Sequence, residues 1–176
     1  MSSAPYPAAP AAPAPAPEET FQPVALVLAA LFPGAGHIYL GEVKRGVLIA
    51  AGVLGLFVGG LLIGGIGVVD RRDNFIWFMG QALVGPVAFG VDAAHQSMFK
   101  VVDPSGYRRP ARPNEGRGDK GQVVYGGTPP YIRSLGRVHE LGTLFATIAG
   151  MMNLICIIDA SFHAPRTRRR SGGGAR

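Results

Sequence analysis

The sequence predicts an all-α integral membrane protein, a helical bundle of three to four transmembrane helices with disordered tails. Three observations lead there. Residues 46–69 form a run of 24 without one charge. As a helix that run is about 36 Å long, against a hydrocarbon core of about 30 Å. Charged residues make up 16% of the chain, below the roughly 25% usual in soluble domains. Three further apolar segments flank this run, so the mean hydropathy is +0.24 despite long polar tails.

The elements follow in chain order. Residues 1–23 hold a Pro/Ala tract without Lys or Arg. Proline at that density blocks helix and sheet hydrogen bonding, so a disordered tail is expected, and the basic start of a secretory signal is missing. Residues 24–95 are the membrane region, with helices expected at about 24–40, 46–69 and 75–94. The first is interrupted by Pro33 and Gly34, and its uniformly apolar part of nine residues is too short to span alone. The second carries Lys44 and Arg45 before it and Asp70, Arg71 and Arg72 after it. The third opens at Asp73 and Asn74, good N-caps, and Pro86 is expected to bend it. Residues 96–138 are a polar basic loop, too polar for a core and too glycine-rich for a long helix, with Val123 to Tyr125 as one short strand. The last membrane helix is expected at 139–160. Residues 161–176 are a basic tail expected to be disordered.

Charge sets the expected orientation. Four spans would place ten Lys and Arg of loops 41–45 and 96–137 on one side and seven on the other. The positive-inside rule then favours the larger loop in the cytoplasm. The tail residues Arg166, Arg168, Arg169 and Arg170 suit anionic lipid headgroups. Small residues indicate packing, because close backbone approach drives helix association in lipid. Gly55 and Gly59 are four residues apart and are expected to contact another helix, within the chain or in a homo-oligomer. Gly142, Ala146 and Gly150 repeat the spacing in the last segment.

The segment FPGAGHIYLGEVKRG is the densest motif of the chain. Pro33, Gly34, Gly36, His37, Tyr39, Gly41, Arg45 and Gly46 fit a Pro-Gly-x-Gly-His-x-Tyr-x-Gly pattern ending in a basic residue and glycine. Over residues 24–70 the sequence resembles the two-transmembrane-helix domain family of small bacterial membrane proteins. The whole layout is similar to an uncharacterised bacterial family of multi-pass proteins. That resemblance implies a bacterial inner-membrane location and no particular activity. The residues themselves read as a hairpin: glycines turn the chain, Tyr39 anchors at headgroup level and Lys44 with Arg45 marks the start of the next span.

Catalytic signatures are missing from the sequence. Gly34-x-Gly36 lacks the third glycine of a dinucleotide fingerprint and follows no strand. There is no Walker loop, serine elbow or zinc spacing, and the arginines lack the interleaved aromatics of nucleic-acid binders. The single cysteine, Cys156, excludes a disulfide framework within one chain and reads as a packing residue. No cofactor or metal is expected, and no enzyme activity. The leading expectation is a non-enzymatic membrane scaffold or assembly protein. The alternative is a small transporter or channel subunit that uses Asp92, Asn153 or Asp159, ionisable or amide groups inside or beside the apolar segments.

Overall fold

Two long helices run the length of the molecule. The computed structural model describes residues 20–163. Its elements, in order, are β1 (Thr20–Phe21), α1 (Pro23–Leu31), α2 (Ala35–Tyr39), α3 (Val43–Gly64), α4 (Phe75–Ala82), α5 (Pro86–Ala94), β2 (Lys100–Val102), β3 (Arg108–Pro110), β4 (Glu115–Arg117), β5 (Val123–Tyr125), α6 (Arg137–Ser161) and β6 (Phe162–His163). A 3-10 turn, Ile66–Val68, follows α3, and a π-helical turn, His95–Phe99, follows α5. The expected Pro/Ala tract and the arginines at 166, 168, 169 and 170 lie outside the described residues.

Helices α3 and α6 have 22 and 25 residues. Both are long and apolar enough to cross a membrane, and among the described residues they are the only two that are. They pack antiparallel through small residues. A Cβ added at Gly60 would lie 2.6 Å from the Gly142 carbonyl oxygen and 2.9 Å from the Ala146 nitrogen. One added at Gly142 would lie 2.7 Å from the Gly64 Cα. At the far end Arg45 of α3 meets Asp159 of α6.

The other helices are half-length and form two hairpins. Helix α1 starts beside the end of α6, where Gln22 N donates to Ser161 O at 2.8 Å. It runs inward for nine residues and stops at Pro33-Gly34. Gly34 has φ +82, and a side chain there would collide with the Gly46 carbonyl. Only glycine fits a backbone so turned and so closely approached. Helix α2 then returns to the Arg45 end. The second hairpin mirrors this from the opposite end. Helix α4 runs inward from Asn74, Gly85 at φ +100 reverses the chain, and Pro86 opens α5 at its first turn. Helix α5 returns to the Asp70 end, where Arg71 N donates to Asp92 Oδ1 at 2.9 Å. The two tips meet: a Cβ on Gly85 would be 2.7 Å from Ala30 O and 3.1 Å from Leu31 O.

The fold class expected from sequence is therefore corrected. The protein is a mixed α/β structure with two helices of spanning length, not an all-α bundle of three to four. The segments at 24–40 and 75–94 are each broken into two short helices that double back, because glycine at positive φ reverses the chain where a proline kink alone would bend it. The stretch after α5 carries two antiparallel strand pairs, β2 with β3 and β4 with β5, and a third pair joins β1 to β6. Val123 to Tyr125, expected from sequence as a strand, forms β5, whereas β2, β3 and β4 lack apolar alternation, so periodicity left them hidden. Ionic contacts hold them: Arg109 grips Glu115 with two hydrogen bonds of 2.6 and 2.9 Å. That guanidinium and the Arg112 amide hold the Glu115 carboxyl at about 2. Because α5 doubles back, this polar module lies at the same end as loop 70–74 and opposite loop 40–42, unlike the four-span arrangement.

Candidate functional site

Buried polar groups gather at three levels. The first is the Arg45 end. Gly36 is pressed against Ala25, Ala29 and Ala160, which seats α2 between α1 and α6. That seating carries His37, fully buried, to Asp159 of α6. His37 Nε2 donates to Asp159 Oδ2 at 2.7 Å, and Arg45 reaches the same oxygen at 2.6 Å while also meeting Glu42 at 3.2 Å. Three elements are thus tied by one carboxylate. The motif residues Pro33, Gly34, Gly36, His37 and Gly46 all serve this hairpin. His37 Nδ1 has no partner among the described residues.

The second level is the middle. Asn153 is fully buried on α6, and its Nδ2 donates to Leu83 O at 2.8 Å and Ala29 O at 3.4 Å. Those are carbonyls of the two hairpins near their tips, which the helix breaks leave without intrahelical partners. One amide therefore stitches both hairpins to the long helix. Gln81 does similar work one level away, donating to Val68 O at 3.0 Å.

The third level, the Asp70 end, is the densest network and is taken as the candidate site. Lys100 is wholly buried, and its Nζ contacts Asp70 Oδ2 at 2.7 Å and Asp73 Oδ2 at 2.8 Å. Gln96 donates to Asp70 Oδ1 at 2.8 Å and to Asp92 Oδ1 at 3.2 Å. The Arg72 and Asp73 amides also converge on Asp70 Oδ1. Burial pushes the Asp70 carboxyl up, but Lys100 and the Asp73 amide outweigh it and hold it below its ordinary value. His95 lies beside it, with Nδ1 3.2 Å from Val69 O and Nε2 3.1 Å from the Tyr131 hydroxyl. A carbonyl only accepts, so Nδ1 carries the proton and Nε2 accepts from Tyr131. Burial lowers the His95 imidazole below its usual range, against the pull of Asp70, and keeps it neutral. The Tyr131 phenol is pushed up, chiefly by burial.

The family of unknown function DUF6677 matches residues 24–171. The chain belongs to that family. The match takes in both hairpins, both long helices and the polar module, where the motif resemblance stated above covers only residues 24–70. No curated protein and no solved structure matches the chain.

Of the residues singled out from sequence, Asp92 and Asp159 lie at opposite ends and Asn153 lies between them. The structure does not bring the three together. Gly55 and Gly59 have no atom within 4 Å of where a Cβ would sit, so they face away from the rest of the described chain, and the close approach uses Gly60 and Gly64 instead. Half-buried Cys156 sits on α6 one turn from Asp159. Lys100, Asp70, Gln96 and Tyr131 escaped sequence reasoning. Lys100 sits in a polar stretch that reads as a solvated loop, and only its fold back onto loop 70–74 buries it. No group of three or more His, Cys, Asp or Glu side chains is arranged to hold a metal ion among the described residues.

Proposed function

We propose that this protein is a non-enzymatic scaffold embedded in a membrane. Helices α3 and α6 span the bilayer, the two hairpins are re-entrant from opposite faces, and the platform holds the polar module of residues 100–136 at one face. One observation carries the reading: the apolar side chains are outside. Leu48, Leu62, Ile63, Ile76, Met79, Phe89, Ile155 and Ile158 are all exposed around the bundle. A protein in water would not leave so wide a surface bare. The interior, by contrast, is closed around the broken backbone, as lipid demands of non-helical segments. Asn153 supplies the donors that the tips need.

The transporter alternative needs a polar path from face to face. At the Asp159 end Ala25, Ala29 and Ala160 pack together, fully buried. Between Asn153 and Asp92 lie Phe57, Val84 and Ala88. These apolar layers favour the scaffold. The open glycine face of α3, with Gly55 and Gly59, suits a second copy of the chain, and the arginines at 166, 168, 169 and 170 suit anionic headgroups. The resemblance to the two-transmembrane-helix domain and the bacterial inner-membrane location stand as part of the same proposal.

The test is cysteine labelling in sealed vesicles with Cys156→Ala as background. Gly41→Cys and Gly106→Cys should react with an impermeant maleimide from opposite faces. Ala29→Cys and Ala88→Cys, in the packed layers, should stay unlabelled from either face. Labelling of both interior positions would mean a water path and would overturn the scaffold reading.

A further inference from the structure

A cavity of about 640 Å³ opens between the starts of α4 and α6. Its walls divide by chemistry. Trp77, Leu141 and Leu144 give it an apolar part, and Asn74, Arg137, His139, Glu140 and Thr143 a polar one. Arg137 and Glu140 are three residues apart on α6, so their side chains are neighbours on one helix face. They do not pair with each other; Glu140 interacts electrostatically with the adjacent His139, which also lines the cavity. Gly136, which precedes α6, has no side chain to cap the first turn. The first turn carries Glu140, which complements the helix dipole, so the cationic centre of the cavity is Arg137.

The occupant that matches must combine an anionic centre, an adjacent cationic centre and an apolar tail. The cavity sits at the end of a helix of spanning length, beside the exposed Phe75 and Ile76. We propose that it binds an amine-bearing glycerophospholipid, a proposal that rests on the membrane reading above. The phosphate meets the Arg137 guanidinium. The primary ammonium donates to Glu140. An acyl chain runs along Trp77, Leu141 and Leu144. A phosphoglycerol headgroup lacks the cation that Glu140 requires, and a choline headgroup has no N–H to donate.

The chain contains one tryptophan, Trp77, and it lines the cavity. Trp77 is half-exposed, so its fluorescence reads surrounding and bound lipid together, and the difference between headgroups isolates occupancy of the cavity. The full-length protein in phosphatidylcholine vesicles is titrated with acyl-brominated lipids carrying phosphoethanolamine, phosphocholine or phosphoglycerol headgroups. Phosphoethanolamine should quench half-maximally at about threefold lower mole fraction than the other two, in line with the worth of an exposed charge contact. Glu140→Gln should bring phosphoethanolamine to the phosphocholine level, and Arg137→Gln should weaken all three. Both side chains are exposed, so neither variant threatens folding. Equal quenching by all headgroups, or strongest quenching by phosphoglycerol, overturns the proposal while leaving the membrane reading intact. If the protein fails to float with the vesicles and no lipid quenches, both fall.

Discussion

Asn153 shows how much one side chain can carry in a bundle of broken helices. Removing its amide leaves Leu83 O buried without its 2.8 Å donor and frees Ala29 O as well. A buried acceptor stripped of its partner costs about 1–3 kcal/mol in water-soluble proteins and less inside a membrane. Asn153→Ala should therefore destabilise by about 1–2 kcal/mol, seen as a lower unfolding temperature in detergent. An unchanged temperature would mean that the tips hold together without it. Asn153 stands out in the sequence as an amide inside an apolar run, and such a group pairs across helices. Which carbonyls it meets depended on two chain reversals far away in sequence.

At the scale of elements, glycine has two different roles in α3. Gly60 lets α6 approach to backbone contact, while Gly55 and Gly59 face open space. Gly60→Ala and Gly142→Ala should each cost about 1–3 kcal/mol, because the added methyl meets backbone that must move. In the monomer, Gly55→Ala should be neutral or stabilising by up to about 1 kcal/mol, since alanine is the better helix former and meets no atom of its own chain. Thermal unfolding of the three variants checks this; equal losses at Gly55 and Gly60 would place the contact face wrongly. The four-residue spacing was legible for Gly55 with Gly59 and for Gly142, Ala146 and Gly150. Their direction was not, because a helix that is apolar all round carries no phase in its sequence.

Over the whole molecule, the Asp70 end decides how the polar module is fastened to the helices. Two groups there respond to acid in the same direction. His95 is held below its ordinary value, so the unfolded chain takes up the proton first, and its contribution is lost as pH falls from about 6.5 through the folded value. Asp70, facing Lys100, Gln96 and His95, is also held low, and its contribution is lost below about pH 4. Unfolding free energy should be level above about pH 7, weaken below 6.5 and fall again below 4. His95→Gln should shrink the first step and keep the second. A flat profile from pH 7 to about 5 in chemical denaturation would refute the His95 assignment.

Charge-free length was legible in residues 46–69, because a run that long has no use in a small soluble domain. The break at Pro33-Gly34 was also visible, since that pair ends a helix from local chemistry alone. Local chemistry did not show whether Gly85-Pro86 bends a helix or turns it back, for the same dipeptide does both. The tertiary structure decided it: Asp92 must return to Arg71, and Gly85 must fit against Ala30. The strands other than Val123–Tyr125 were hidden for a related reason. Ion pairs such as Arg109 with Glu115 and Lys100 with Asp70 have no periodicity, so their geometry exists only once the chain has folded. The sequence by itself determined that two long apolar helices and one hairpin motif exist. Only the tertiary structure determined that half the expected membrane helices double back, because the hydrogen bonds that satisfy their broken ends come from α6.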